Sequence, residues 1–247
     1  MASPLRVRFL GSGDAFGTGG RLQACLCIDG PGGRLLLDCG ASALIALKRA
    51  GLDPASVGGV CLSHLHGDHF GGIPFLILDG QFGRREAPLT VAGPPGTRAR
   101  ITEAMEVLFP GSSRVARRFP VELVELAPEV PTPLGPARVQ AYPVEHASGA
   151  PAYALRLEWA GRTLAYSGDT EWCEALVAAA RGADLFVCEA YTFERRIRYH
   201  LDHATLAAGL GKIGARRVIL THLGPEMWAR RAEAAAECAD DGLTVDV

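Results

Sequence analysis

The sequence predicts an α/β fold, an αββα sandwich of two mixed β-sheets flanked by helices, carried by one domain over residues 1–247. Three observations predict it. Short apolar runs of strand character alternate with segments of helical spacing along the whole chain. Turn-forming residues join neighbouring strands into antiparallel hairpins, at Gly30-Pro31-Gly32-Gly33 and at Ala160-Gly161. Four apolar runs end on a polar residue, leading to His64, Asp169, Glu189 and His222.

Taken in order, residues 5–10 alternate apolar and charged and read as a half-buried strand. The Gly-rich turn at 11–17 lacks dinucleotide-fingerprint spacing and leads into no helix, so it is not read as a phosphate loop. Residues 24–29 and 34–38 form the first hairpin, 44–50 a helix stopped by Gly51, and 57–62 the strand before His64. A helix follows from Gly71-Gly72-Ile73-Pro74 to Leu78, packed beneath the candidate site, then a short strand at 89–91. The next helix carries Ile101, Met105 and Leu108 on one face, and short strands with Pro-rich turns fill 121–141. His146 ends a further strand, 153–159 and 162–166 form the second hairpin, and helices are expected near 171–181, 204–213 and 226–239.

Composition bounds the function. Hydrophobic residues make up 48% and charged residues 21%, which supports a well-buried core and argues against disorder. A net charge of −2 argues against a strongly electrostatic nucleic-acid binder. The arginines at 84–85, 114–118 and 195–198 are local exceptions, read as solvated faces. The seven cysteines, 25, 27, 39, 61, 173, 188 and 238, are odd in number, sit mostly in apolar runs and include no Cys-x-x-Cys pair. They read as buried free thiols in a reducing compartment. The N-terminus shows no apolar leader, and no apolar run is long enough to span a bilayer. A cytoplasmic protein without a membrane partner is expected.

The chemistry concentrates at Ser63-His64-Leu65-His66-Gly67-Asp68-His69. Three imidazoles and a carboxylate this close form an N-rich donor set that suits zinc. His64 and His66 alternate and point the same way, while Asp68 and His69 fall where the chain turns into a helix and can face a second metal. Strand ends on one edge of a sandwich add His146, Asp169 and His222, giving five imidazoles and two carboxylates. That number serves two metal ions if one carboxylate bridges. Such a pair suits hydrolysis at phosphorus or at a carbonyl, in part by lowering the pKa of a bound water from about 15.7 toward about 7.

The chain resembles the metallo-β-lactamase superfamily, matching its His-x-His-x-Asp-His motif at 64–69 and its later ligand motifs at His146, Asp169 and His222. Within it, Ser-His-Leu-His-Gly-Asp-His-Phe-Gly-Gly-Ile-Pro at 63–74, Ala-Gly-Pro-Pro-Gly-Thr at 92–97 and Tyr-Ser-Gly-Asp-Thr at 166–170 are similar to the ribonuclease Z branch. That branch and the related cyclic phosphodiesterases of phosphonate breakdown cleave phosphodiesters with two zinc or manganese ions. The resemblance implies the metallo-β-lactamase fold. It places His64, His66 and His146 on one metal, and Asp68, His69 and His222 on the other, with Asp169 bridging and Asp68 also serving as general base. The branch carries a proton-donating His 22 residues before its last ligand, which lands on His200; His203, one helical turn on, ranks second. Glu189 is a candidate partner that fixes an imidazole tautomer.

One departure bears on the substrate. Ribonuclease Z inserts a long arm that clamps the tRNA elbow, usually between the motifs matching His146 and Asp169. Here those residues are 23 positions apart, with a tight hairpin between. The expectation is therefore a dinuclear zinc phosphodiesterase, with manganese as the alternative metal. Its substrate would be a small, cyclic or short nucleic-acid-derived phosphodiester. The branch also suggests a homodimer. A hydrolase of lactones, thioesters or β-lactams on the same fold is the alternative. A di-iron redox protein would replace His66 with Glu, and a non-catalytic scaffold would lose ligands. The segments 191–199 and 82–86 are expected to rim the site.

Overall fold

Alternation decides the first strand: in β1 (Arg6–Gly11), Val7 and Phe9 are fully buried while Arg6 and Arg8 stay accessible. The computed structural model describes residues 5–247. β1 runs antiparallel to β2 (Cys25–Gly30), which turns through the expected hairpin into β3 (Gly33–Leu37), with Ile28 opposite Leu35. Three parallel strands follow: β4 (Val57–Cys61), β5 (Leu89–Gly93) and β6 (Val121–Glu125). Their crossovers carry α1 (Ala43–Arg49), then α2 (Gly67–Phe70) with α3 (Ile73–Phe82), then α4 (Thr97–Leu108).

The second sheet repeats this plan. β7 (Thr132–Leu134), β8 (Ala137–Val144), β9 (Ala152–Trp159) and β10 (Arg162–Tyr166) form an antiparallel meander. β11 (Leu185–Glu189), β12 (Val218–Thr221) and β13 (Glu237–Cys238) then add in parallel, through α5 (Glu174–Ala180), α6 (His203–Ile213) and α7 (Pro225–Ala229). Finally β14 (Thr244–Asp246) returns to the first sheet beside β1. Among the described residues each sheet thus has seven strands, three antiparallel pairings followed by three parallel ones.

Side-chain alternation builds three apolar layers. Leu35 and Leu37 of β3 and Leu155 and Leu157 of β9 meet between the sheets. Leu36, on the opposite face of β3, packs with Leu47, Ile77 and Ile101 under α1, α3 and α4. Phe186 and Cys188 of β11 pack with Leu176, Leu206 and Ile213 under α5 and α6. The period-two pattern alone allots each side chain to its layer.

Two expectations fail locally. Residues 226–239 do not form one helix: α7 gives way to a 3₁₀ turn at Arg231–Glu233 and then to β13. Parallel pairing of Ile219 with Glu237 and Leu220 with Cys238 overrides the helical propensity of the Ala/Glu-rich stretch. On α4, Ile101 and Met105 are buried as expected, but Leu108 in the last turn is 47% exposed, beside an open groove. No helix among the described residues is long and apolar enough to cross a membrane.

The layers also dictate thiol reactivity. Cys25, Cys27, Cys39, Cys61 and Cys188 are buried, whereas Cys173 and Cys238 are partly accessible. Burial pushes the Cys27 and Cys39 thiols up to about 12. Since only the thiolate reacts, alkylation of the native protein followed by mass spectrometry should label Cys173 and Cys238 alone. The other five should react only in denaturant. Native labelling of Cys39 or Cys61 would show that the packing of the first sheet opens in solution.

Candidate metal centre

The candidate ligand side chains arrive from the C-terminal ends of strands in both sheets. β4 delivers His64 and His66, and the short α2 that follows carries Asp68 and His69. In the second sheet, His146 follows β8, Asp169 follows β10, Glu189 closes β11 and His222 follows β12. Close backbone approach requires glycine at two points of this edge. A Cβ on Gly40 would strike the Asp68 carbonyl, and one on Gly168, at φ +58°, would strike Ser63.

The side chains form three groups, of which the third, Asp169, Glu189, His200 and His222, shares two members with the second. In the first, nitrogen atoms of His64, His66 and His146 lie within 4.8 Å of one another. His146 Nε2 stands 3.1 Å from His66 Nδ1. In the second, His69 Nε2 lies 3.3 Å from both Asp68 Oδ2 and Asp169 Oδ1 and 3.4 Å from His222 Nε2. His222 Nε2 lies 3.3 Å from Asp68 Oδ2 and 3.5 Å from Asp169 Oδ2. Asp169 Oδ2 also stands 3.9 Å from His64 Nε2, so this carboxylate touches the first group as well as the second.

The arrangement fits divalent cations. Buried His64 Nε2 and Asp169 Oδ1 make no hydrogen bond. A buried polar atom left unmatched costs about 1–3 kcal/mol, and here such atoms converge with further lone-pair donors. Imidazole and carboxylate oxygen together are the donor chemistry of zinc and manganese. Protonation states agree. Burial, and then the neighbouring His69, hold the His64 pKa well below its usual value. Burial opposes ionisation of Asp68 and Asp169, but His222 and His69 outweigh it and keep both pKa values below the carboxylate range. His69 and His222 are the exceptions: despite burial, Asp169 and Asp38 raise the His69 pKa well above normal, and Asp169 and Asp68 raise that of His222, so a cation bound there displaces protons.

A surrounding layer of hydrogen bonds fixes the rings. Fully buried Asp38, at the end of β3, receives Ser63 N–H and Oγ–H, each at 2.7 Å, and meets His69 Nδ1 at 2.6 Å. His146 Nδ1 donates to the Tyr199 carbonyl at 2.8 Å, and Glu171 Oε1 accepts from Tyr199 N–H. His222 N–H donates to the Ser12 carbonyl, while Asp241 Oδ1 accepts from both Ser12 N–H and Oγ–H. Asp38, Tyr199 and His222 all have positive φ, at 57°, 71° and 57°. Backbone strain of this kind concentrates where surrounding contacts over-determine a site.

Residues 33–223 match the model of the β-lactamase superfamily domain. The chain belongs to the β-lactamase superfamily. Its sequence is 29% identical to ribonuclease Z of Methanosarcina acetivorans, across 89% of this chain and 87% of that protein. In fold it resembles the metallo-β-lactamase fold protein YhfI of Bacillus subtilis, with a TM-score of 0.81, 19% identity and 99% of each chain covered. It also resembles the short form of human tRNase Z, with a TM-score of 0.76, 24% identity, and 97% of this chain and 98% of that one covered.

In this superfamily member the seven sequence-predicted ligand candidates stand together, and His200 stands beside them. Its Nδ1 is 3.1 Å from Glu189 Oε2 and 3.9 Å from Asp169 Oδ2, and its ring stacks over His222 at 5.9 Å. Glu189 is fully buried; burial and the Asp169 charge raise its pKa well above normal, and Thr170 N–H donates to its other oxygen.

His203 is not brought to the cluster. Its Nε2 accepts Ala235 N–H at 2.8 Å and its ring stacks on Phe193 at 4.5 Å, so it packs the start of α6. Within the 82–86 segment, Arg85 is held away from the cluster: it donates to the carbonyls of Val57, Ala87 and Pro88, at the opposite end of β4. The 191–199 segment does reach the site, with the Tyr191 ring 4.8 Å from that of His200. Sequence reasoning missed the roles of Asp38, Tyr199 and Asp241. Asp38 alone carried a signal, since it too ends an apolar strand on a carboxylate.

Proposed function

We propose that this protein is a dinuclear, zinc-dependent phosphodiesterase acting on a small, cyclic or short nucleic-acid-derived phosphodiester, with manganese able to replace zinc. The observation that carries this reading is His200, held through Nδ1 by buried Glu189 beside Asp169 and His222, which leaves Nε2 for a leaving oxygen. His64, His66 and His146 would hold one cation, and Asp68, His69 and His222 the other, with Asp169 shared. When bound, the cations supply charge to the phosphoryl oxygens and acidify water.

The chain's own residues supply the proton transfers. Asp68, ionised and 8% exposed, orients a water and takes its proton as the oxygen attacks phosphorus. The bond from phosphorus to the departing alcohol breaks, and that oxygen receives a proton from His200 Nε2. Glu189 sets the His200 ring and shares a proton with its Nδ1. Ribonuclease Z of Methanosarcina acetivorans, similar over most of this chain, supports chemistry at phosphorus. The two-residue Ala160–Gly161 turn between β9 and β10 has no space for an RNA-clamping arm, which supports a small substrate.

The deciding experiment compares bis(p-nitrophenyl) phosphate with a lactone and a chromogenic β-lactam, using metal-loaded and chelated protein of measured metal content. Hydrolysis of the phosphodiester alone, lost on chelation and restored by zinc or manganese, is the expected result. Turnover of the carbonyl substrates alone would replace this reading with a carbon-ester hydrolase.

A further inference from the structure

Two dissimilar openings flank the candidate centre. On the His200 side lies a small polar cleft of about 280 Å³, lined by Glu171, Arg196, Arg198 and Asp202. On the Asp68 side, a cavity of about 900 Å³ runs from Gly67 and Asp68 along α4, walled by Phe70, Phe75, Ala104, Val107 and Leu108. It continues past Phe75 and Leu108 into a second cavity of about 770 Å³ that ends near Phe82. Val107 is 74% exposed and Phe82 82% exposed, so the groove lies open beside an apolar rim. A contiguous apolar surface of this kind needs an occupant.

The wall chemistry says which. In the cavity nearest Asp68, the charged and amide side chains are Gln23, Asp68, Arg100 and Glu103. Gln23 donates to the Ala15 carbonyl and accepts Ala41 N–H, and Arg100 pairs with Glu103 at 3.9 Å. Asp68 belongs to the ligand cluster. Apart from Arg100 and Glu103, whose side chains are 41% and 72% exposed, the wall offers no side chain to read a base, a sugar or a second charge. What remains is hydrocarbon surface that begins at the residue proposed to activate water. An occupant of the groove is therefore tethered to the reacting phosphorus.

A phosphodiester has two ester arms, and the structure offers two clefts of opposite character. We propose that the groove along α4 binds the retained alcohol of the substrate and that this arm is an extended apolar group, alkyl or aryl. The departing alcohol leaves by the polar cleft at His200. This assignment rests on the phosphodiesterase reading and names the substrate class within it. It makes Val107 and Leu108 determinants of specificity that are not themselves among the candidate metal ligands. Shape and hydrocarbon burial alone then select the retained arm.

The test is a series of p-nitrophenyl alkyl phosphates with methyl, butyl and hexyl as the retained arm, assayed on metal-loaded protein. Alongside it, binding of methyl and hexyl phosphate is measured by calorimetry, which needs no turnover. Burying several methylenes predicts a rise in kcat/KM from methyl to hexyl of about tenfold or more, with hexyl phosphate binding tighter by a similar factor. In Leu108→Asp and Val107→Asp, each with native metal content, the hexyl-to-methyl ratio should fall toward one. A ratio near one in the wild-type protein, or one that survives both substitutions, overturns the proposal. So does a wild-type dimer that Leu108→Asp dissociates without changing the ratio, because the groove is then a subunit contact. Preferential binding of hexyl phosphate without hydrolysis of any diester would keep the groove assignment and remove the reaction assigned to the centre.

Discussion

Replacing Asp68 with alanine should reduce kcat by at least about 10⁴-fold while the protein keeps part of its metal. The geometry explains why both halves of that result are expected. Asp68 Oδ2 stands 3.3 Å from His69 Nε2 and from His222 Nε2, so its removal opens one ligand group. The His64, His66 and His146 group is formed without it. Metal content should therefore drop from about two toward one rather than to zero. Asp68→Asn separates the two roles, since the amide keeps an oxygen for coordination but is no base at neutral pH. Its metal content should stay closer to two while turnover remains low. Near-native turnover in Asp68→Asn would remove the proton-accepting role and leave Asp68 a ligand only.

The fold was legible because its periodicities are local. Leu35-Leu36-Leu37 shows how strand alternation allots neighbours to opposite layers without knowledge of the partner sheet. The hairpins at 30–33 and 160–161 follow from turn chemistry that two to four residues specify. Residues 226–239 depart from the helix their composition predicts because β13 exists only through pairing with β12, a contact about 18 residues distant (Ile219 with Glu237). The same distinction governs the site. Ligand candidates such as His64 and Asp169 announce themselves by type and by position at strand ends. The residues that aim them do not: Tyr199 acts through a backbone carbonyl, and Asp241 through Ser12, 229 positions away. His203 shows the converse, a histidine of suitable type and spacing whose ring is fixed by Phe193 and Ala235.

The matching plans of the two sheets explain why so many candidate ligands converge. In each, a meander of antiparallel strands sets an edge from which parallel strands then run in one direction. Loops after parallel strands all emerge at the same edge, so the polar residues that end or follow several of these strands come to one place. The first sheet contributes Asp38 and the His64–His69 cluster, and the second contributes Asp169, Glu189 and His222. Strand β14 closes the first sheet from the far end of the chain, and Asp241 just before it braces the Ser12 turn beneath His222.

His200→Ala is the second large effect, and its signature lies in the leaving group. With metal content unchanged, kcat should fall by about 10²–10⁴-fold for a diester with a poor leaving group. The loss should be much smaller for p-nitrophenol, whose anion departs without a proton. A loss of equal size across leaving groups would make His200 an electrostatic or positioning group. Loss of the metals would make it a ligand, an outcome its position 3.9 Å from Asp169 Oδ2 keeps within reach of the test. Glu189→Gln refines the reading, because Glu189 meets His200 Nδ1 at 3.1 Å and also receives Thr170 N–H in the buried layer behind it. The glutamine keeps the shape of that contact but can neither share a proton with Nδ1 nor stabilise charge on the ring. Its expected cost is about 10–100-fold in kcat, with the same dependence on leaving group as His200→Ala. A Glu189→Gln loss that ignored the leaving group would separate the carboxyl from the proton transfer and leave it a support for the Thr170 turn.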